Sequence, residues 1–198
     1  MFAALLDTNV LWPSLQRDVL LSFAVEGIYR PLWSSAVLDE LELHEARKLR
    51  QRGVAADDAE ARAARLIASM RAAFADSEVA GWDALEGSFG LPDVDDEHVV
   101  AAALLGGAGV LVTHNVRDFP AARLPAGLEL QVPSQFAHHA VSVQPAAAMR
   151  AVRAVSARSG VHGPSLSVER ILTVLDQRYG FTDAVRLLSD QAGAESES

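Results

Sequence analysis

The sequence predicts an α/β fold with a mostly parallel sheet, because short apolar segments alternate with longer amphipathic ones. The apolar segments AALLD, VLVTHN and LELQVP have the length and composition of buried strands, and YRPLW adds a brief extended piece. The amphipathic segments fall at 14–27, 36–53, 56–75 and 91–109. Strands that alternate with helices form a parallel sheet covered on both faces. Ligands of such sheets gather at the carboxyl ends of the strands.

Each predicted helix carries signals of its own. The first has Leu15, Val19 and Phe23 on one stripe. The second can be capped by Ser34 or Ser35. The third is rich in alanine, and the fourth has proline and acids at its start and glycines at its end. These are the residues that suit the two ends of a helix.

The chain is long enough for one α/β domain with a smaller appendage, at 198 residues. We predict that the domain covers 1–143. Three further short helices within 144–191 predict a C-terminal helical extension. The last segment, 192–198, ends in GAESES, and this polar composition predicts a disordered tail.

The composition excludes several classes of protein. No apolar run approaches the roughly 18 residues needed to span a bilayer, so we expect a soluble, cytoplasmic protein that does not contact a membrane. The absence of cysteine excludes disulfides, thiolate catalysis and zinc–thiolate sites. A net charge of −9 argues against a surface that binds nucleic acid everywhere, although a local contact remains possible.

Acidic and polar side chains follow two of the predicted strands. Asp7 comes directly after the first strand, and Thr113, Asn115 and Asp118 follow VLV. Both groups have an alternative explanation, because Asp, Asn and Thr also favour turns and helix caps. Since the carboxyl ends of parallel strands meet at one edge of the sheet, we expect both groups beside the same crevice.

Two of the helices supply further acids. Glu40 borders the apolar stripe of its helix, with Glu42 as a rival and a solvated helix face as the alternative explanation. In the fourth helix Asp96 heads an apolar stripe, while Asp93 and Asp95 are placed to act as caps. A carboxylate at the head of a buried stripe needs a partner, because unpaired burial costs several kcal/mol.

Bringing Asp7, Asp96 and Asp118 to one edge of the sheet would set like charges against each other. A pair 4 Å apart costs about 1 kcal/mol in water and roughly 4 kcal/mol at an effective dielectric constant of 20. A divalent cation removes this repulsion. Because the ligands are hard oxygen atoms and cysteine is absent, Mg²⁺ or Mn²⁺ is favoured over zinc.

Taken together, these segments resemble the PIN-domain ribonucleases, and in particular the VapC-like toxins of VapBC toxin–antitoxin modules. LLDTNVL resembles the first acidic motif of the family, SSAVLDEL the second, and PDVDDEHVVAAALLGGAGVLVTHNVRDFP the third and fourth. The resemblance covers about residues 3–135 and implies a three-layer α/β/α domain. It also implies a metal-dependent endoribonuclease that leaves 5′-phosphate and 3′-hydroxyl ends, a cognate antitoxin and a homodimer.

The resemblance assigns roles to particular residues. Asp7, Asp96 and Asp118 would bind one or two Mg²⁺ or Mn²⁺ ions, and Glu40 would be a further ligand or a base that orients water. Four neighbours would support these acids: Thr8, Asn9, Thr113 and Asn115. The family often has an acid where Asn115 stands, so the number of ions, one or two, stays open.

The basic residues Arg47, Lys48 and Arg50 either contact RNA phosphates or form a solvated helix face. Two other functions are compatible with the acids. A phosphatase of the haloacid dehalogenase type also has an Asp after its first strand, but it needs a second Asp where Asn9 stands. A metal-depleted PIN-like binding module would dock a partner without cutting RNA.

Overall fold

A five-stranded sheet organises the computed structural model, which describes residues 2–161 and 164–196. The strands are β1 (Phe2–Leu6), β2 (Tyr29–Ser34), β3 (Glu78–Val79), β4 (Val110–Val112) and β5 (Glu129–Gln131). Their order in the sheet is β3-β2-β1-β4-β5. β1 pairs in parallel with β4, and β2 pairs in parallel with β3. The predicted α/β fold with a mostly parallel sheet is therefore confirmed.

Within this described part of the chain, nine α-helices accompany the strands. They are α1 (Thr8–Leu11), α2 (Ser14–Val25), α3 (Ser35–Gln51), α4 (Ala56–Ala73), α5 (Glu97–Gly106), α6 (Pro133–Val143), α7 (Pro145–Arg158), α8 (Val168–Tyr179) and α9 (Thr182–Ser196). Short 3₁₀ turns occur at Trp82–Leu85, Val94–Asp96 and Ala121–Arg123. The first three predicted helices match α2, α3 and α4 to within about two residues, whereas α5 begins later than predicted, after a 3₁₀ turn.

The chain divides into two compact units. The first, which we call the sheet unit, contains Ala3–Trp12 and Pro31–Leu130. The second, the helical unit, contains Phe2, Pro13–Arg30 and the described residues from Gln131 onward. α2 therefore groups with the C-terminal helices, although the predicted boundary after residue 143 separates them. All the acids of the predicted site lie in the sheet unit.

Close packing of α5 fixes where its first residues lie within the sheet unit. α5 packs against β3 and β4, and its residues Val99, Val100 and Ala101 are fully buried. At Gly106 a Cβ atom would come within 2.7 Å of Leu32 and 2.8 Å of a methyl group of Val79. Only glycine permits this approach, so the end of α5 is held against β2 and β3.

Near the C-terminus the structure differs from the predicted disordered tail at 192–198. α9 continues to Ser196, so the first five residues of that segment are helical. Ala192 and Ala194 favour the continuation, because alanine has the highest helix propensity of any residue, whereas Gly193 between them opposes it. Residues 197 and 198 lie outside the described part of the chain.

Across the residues that the structure describes, we find no helix both long enough and apolar enough to cross a membrane.

Candidate active site

Asp7 lies at the junction between β1 and α1. Its amide donates to the carbonyl of Val112 at 3.1 Å, so the carboxyl ends of β1 and β4 lie side by side. Only 6% of Asp7 is exposed. Its Oδ2 atom accepts hydrogen bonds from Thr113 Oγ1 and from Asn9 Nδ2, each at 2.6 Å. The charge at the strand end is therefore held by two side-chain donors.

Asn9 and Thr113 tie the loop after β4 to the start of α1. Asn9 Nδ2 also lies 2.9 Å from Thr113 Oγ1, and Asn9 Oδ1 accepts from the amide of His114 at 2.9 Å. Thr113, which is fully buried, accepts from the amide of Asn115 at 2.9 Å. These contacts fix the two segments that carry Asp7 and Asn115.

Asn115 in turn holds Asp118. Asn115 Nδ2 donates to Asp118 Oδ2, and the Asp118 amide donates to the Asn115 carbonyl at 3.4 Å. Phe119, the next residue, is fully buried and anchors the end of this turn. A carboxylate at position 115 could not donate this hydrogen bond, because an ionised acid only accepts. Asn115, which stands where the family often has an acid, therefore makes a hydrogen bond to Asp118 that an acid could not make.

Glu40 is joined to the same edge of the sheet by Thr8. Thr8 Oγ1 donates to Glu40 Oε2 at 2.6 Å, and His98 Nε2 lies 3.5 Å from Glu40 Oε1. Glu42 has different surroundings, since it lines a cavity of about 420 Å³ together with Asp39 and other residues of α3 and α4. Of the two acids that the sequence left open, the structure thus brings Glu40 to the residues beside Asp7.

Asp96 immediately precedes α5 and makes no capping hydrogen bond with its side chain. The cap of the preceding 3₁₀ turn is Asp93, whose Oδ1 accepts from the Asp95 amide at 3.0 Å. Asp95 itself is exposed, whereas Asp96 is partly buried. Asp96, which the sequence analysis placed at the head of the apolar stripe, is therefore the acid whose side chain does not cap the helix.

Glu97 supports the site and was not among the residues that the sequence analysis singled out. It is fully buried, and its two carboxylate oxygens accept from the amides of Phe89, Gly90 and Leu91 at 3.2, 2.7 and 3.1 Å. Burial acts to raise the pKa of Glu97, but these amide hydrogen bonds outweigh it and lower the pKa below its usual value. Glu97 thus anchors the loop that leads to Asp96.

The acids act on each other's charge. Burial raises the pKa of Asp7, opposed by the Thr113 hydrogen bond and reinforced by the charge of Glu40. Burial, followed by the charges of Asp7, Asp93 and Asp118, raises the pKa of Asp96 to about 6. These effects require the acids to be close enough to interact electrostatically. The Glu40 pKa is lowered, mainly by the hydrogen bond with His98, so Glu40 is ionised at neutral pH.

This donor set suits a hard divalent cation in its chemistry. The acids offer oxygen ligands. The Asp96 pKa is raised by burial first and by the repulsion of other acids second, and a positive charge relieves this repulsion. Over residues 2–161 and 164–196, however, no three His, Asp or Glu side chains are grouped closely enough to form a ready-made cage. Mg²⁺ does not require one, because it usually keeps several waters and takes only one or two carboxylates from the protein.

The three predicted RNA-binding residues differ in their surroundings. Lys48 forms an ion pair with Glu45, and Arg50 pairs with Glu60 at 3.3 Å. Arg47 is exposed to solvent. Lys48 and Arg50 therefore each pair with an acid of the sheet unit.

Comparison with known proteins bears on most of the sheet unit. The family model described as PIN domain matches residues 3–117, more than half of the chain. The matched residues include Asp7, Glu40 and Asp96 and end one residue before Asp118. No curated protein and no solved structure matches the chain. The chain therefore belongs to the PIN-domain family, whose members are generally metal-dependent nucleases.

Proposed function

We propose that this protein is a Mg²⁺-dependent endoribonuclease that cleaves RNA phosphodiester bonds with an activated water. One observation carries the proposal: the PIN-domain match covers residues 3–117 and includes Asp7, Glu40 and Asp96. Burial, with the charges of Asp7, Asp93 and Asp118, raises the pKa of Asp96 to about 6, which agrees with it. Asp7, Asp96 and Asp118 come from three separate segments of the chain, and nothing in the fold alone requires their charges to meet. A divalent cation would offset the charges of these acids and bind the phosphate of a substrate.

Asp7, Asp96 and Asp118 are the residues that would hold one or two Mg²⁺ or Mn²⁺ ions. A bound ion would lower the pKa of water and offset the charge of the scissile phosphate. The protein's own part is to fix the acids. Asn9 and Thr113 hold Asp7 by two hydrogen bonds of 2.6 Å, and Asn115 holds Asp118.

Glu40 is suited to orient the attacking water. Both of its oxygens have partners, Thr8 and His98, yet 47% of its side chain stays exposed. An ionised carboxylate of this kind can accept a hydrogen bond from water and take up its proton as the phosphate is attacked. Arg47 could bind an RNA phosphate nearby on the same helix, α3.

The resemblance to VapC-like proteins leads us to propose further that the nuclease is the toxin of a toxin–antitoxin pair. Its partners would then be an RNA substrate, a cognate antitoxin and, in the active form, a second copy of the chain. A neighbouring gene for a small DNA-binding protein, whose product forms a complex with this chain and suppresses cleavage, is the expected finding. Cleavage that continues in the presence of that product would contradict the toxin assignment.

A second candidate is a PIN-like module that binds a partner without cutting RNA. The observation in its favour is the lack of a ready-made three-ligand cage within the described residues. The two candidates differ in one respect that can be measured directly, since the module needs no metal for its function.

Metal dependence and two substitutions test the proposal. We expect the purified chain to cleave RNA with Mg²⁺ and to stop when EDTA removes the metal. Asp7→Asn and Asp96→Asn should each reduce kcat by about 100-fold or more while keeping the fold. Asp95→Asn is the matched control, because Asp95 is the exposed acid next to Asp96, and it should retain activity.

Three other outcomes point elsewhere. Full activity in both site variants would remove these acids from the mechanism. RNA binding without cleavage at any Mg²⁺ or Mn²⁺ concentration would favour the binding module. Formation of an aspartyl-phosphate on Asp7 from a phosphate monoester would favour the phosphatase.

A further inference from the structure

Glu40 is held by a chain of buried side chains that begins at the start of α3. Ser34 is the N-cap of that helix, and its Oγ atom accepts from the amide of Val37 at 3.1 Å. The same Oγ atom lies 2.9 Å from Nδ1 of His98. Nε2 of His98 is 3.5 Å from Glu40 Oε1. Ser34 is fully buried and His98 is 4% exposed.

The hydrogen bonds favour one of the two tautomers of His98. At the Ser34 end, the hydroxyl oxygen already accepts from the Val37 amide, which leaves its own proton free to be donated to Nδ1. Nδ1 is then an acceptor. In a neutral imidazole the other nitrogen, Nε2, must carry the hydrogen.

The Glu40 end requires the same assignment. A glutamate side chain is ionised at neutral pH, so Oε1 of Glu40 can only accept. An unprotonated Nε2 would turn a lone pair toward this oxygen. With the hydrogen on Nε2, the same contact becomes a weak, charge-assisted hydrogen bond.

Further contacts hold the ring and the acid. The indole ring of Trp82 packs edge-on against the His98 ring, with centroids 5.6 Å apart, and Trp82 Nε1 donates to Ser35 Oγ at 3.3 Å. On the other side of Glu40, Thr8 donates to Oε2 at 2.6 Å. Both carboxylate oxygens of Glu40 therefore have a contact, one with Thr8 and one with His98. The packing of Trp82 and the contact with Ser34 restrict rotation of the His98 ring.

We propose that Ser34 and His98 form a positioning pair, in which the helix cap sets the tautomer of His98 and Nε2–H then orients the Glu40 carboxylate toward the attacking water. This inference rests on the proposed nuclease function for its effect on catalysis. The tautomer and the contact belong to the folded protein and can be measured without any substrate.

The first test is an NMR measurement on the full-length protein. Long-range ¹H–¹⁵N spectra at pH 7.5 distinguish a protonated ring nitrogen from an unprotonated one. We expect His98 to carry its hydrogen on Nε2 and none on Nδ1. A ring protonated at Nδ1, whether neutral or cationic, would overturn the proposal. The result does not depend on whether the protein cleaves RNA.

The second test compares two amide substitutions of His98. The amide nitrogen of His98→Gln can reach the position of Nε2, while that of His98→Asn reaches only the position of Nδ1. We expect His98→Asn to lower kcat by about 10- to 100-fold with KM changed less than about two-fold. His98→Gln should be at least about ten-fold more active than His98→Asn. Equal activity of the two variants would overturn the proposal.

A double substitution shows whether His98 works through Glu40. In a Glu40→Gln background, adding His98→Asn should lower kcat by less than about two-fold, because the acid that it orients is already lost. A full additional loss would mean that His98 acts elsewhere. His139→Asn is the control, because it removes an imidazole that contacts Gln131 and none of the acids. If the wild-type protein cleaves no RNA, the nuclease proposal fails, and the NMR test still decides the tautomer.

Discussion

Asp96 and Glu97 are neighbours in the sequence with opposite surroundings. Glu97 is the more deeply buried of the two, yet its pKa is lowered, because backbone amides of the loop around Phe89 and Leu91 donate to it. Asp96 is only partly buried, yet its pKa is raised to about 6. Burial alone therefore does not decide whether the pKa of a carboxyl group rises or falls. The hydrogen bonds donated to its charged form also count, and in Glu97 they outweigh burial.

The comparison separates an acid whose charge is satisfied within the fold from an acid whose charge is not. The charge of Glu97 is satisfied within the folded chain, and it is used to fix the loop 87–91. The charge of Asp96 is opposed by three other acids and lacks donors of this kind. A folded chain that keeps such a group gains nothing from it in stability, so a ligand is the natural explanation. Opposite effects on stability are expected when each acid is neutralised.

Neutralising Glu97 should give the larger effect. Glu97→Gln keeps the size of the side chain but replaces one acceptor oxygen with an NH₂ group, which faces either the amide of Phe89 or the two amides of Gly90 and Leu91. The NH₂ group and the backbone amides would then be donors that face each other without an acceptor. Buried donors without a partner lower the free energy of unfolding. We expect the melting temperature to fall by several degrees in thermal unfolding followed by circular dichroism. Glu86→Gln, which alters an exposed acid at the start of the same loop, should change it little.

An unchanged melting temperature in Glu97→Gln would show that the loop is anchored in some other way. Cleavage should fall together with stability in this variant, since the loop leads directly to Asp96. Raising the stability with a nonspecific osmolyte should then recover part of the activity, which is not expected for Asp96→Asn.

Neutralising Asp96 should instead stabilise the metal-free protein. The raised pKa of Asp96 means that the folded state prefers the protonated form. The associated stability is fully present below the ordinary pKa near 3.8 and is lost as pH rises through about 6. In EDTA at pH 8, Asp96→Asn should raise the free energy of unfolding on the order of 1 kcal/mol, after allowance for solvent screening of a partly exposed group.

Urea unfolding at pH 4.5 and pH 8 measures this effect. The gain in Asp96→Asn should appear at pH 8 and be much smaller at pH 4.5, where Asp96 in the wild type is already protonated. Mg²⁺ at millimolar concentration should stabilise the wild type more than the variant. A variant that is less stable than the wild type at pH 8 in EDTA would mean that Asp96 is not under electrostatic strain.

The two acids also show what sequence reasoning could reach. Runs of apolar residues located β1 and β4, and apolar periodicity over many residues located the helices α2 to α5. β3 has two residues and α1 has four, and such short elements carry no period. α6 was missed although Pro133 occupies its first turn, which is a favoured position for proline.

For the candidate site, sequence reasoning predicted the positions of residues whose place in a strand or helix determines their direction. Asp7 was found at a strand end and Asp96 at the head of an apolar stripe. Glu97 was missed because its partners are backbone amides, which leave no trace in residue types. The contact between His98 and Ser34 joins residues 64 positions apart, and the choice of Glu40 over Glu42 depends on Thr8. Only tertiary structure supplies these pairings.

Asp93 offers the smallest and most selective test of the comparison. It caps the turn before Asp96 through a hydrogen bond to the Asp95 amide, and its charge contributes to the raised pKa of Asp96. Asp93→Asn keeps a good capping residue and removes the charge. Because Asp93 is exposed and its charge is screened, we expect the Asp96 pKa to fall by only a few tenths of a unit.

The measurement is an NMR titration of the Asp96 side-chain carboxyl carbon in EDTA, in the wild type and in Asp93→Asn. A small downward shift with unchanged stability at pH 4.5 is the expected result, because the cap remains and only the charge is lost. Asp95→Asn provides the control, since Asp95 does not contribute to the raised Asp96 pKa in the way that Asp93 does. A midpoint that stays in place in Asp93→Asn but moves when Asp118→Asn is introduced would assign the repulsion to the acids of the site alone.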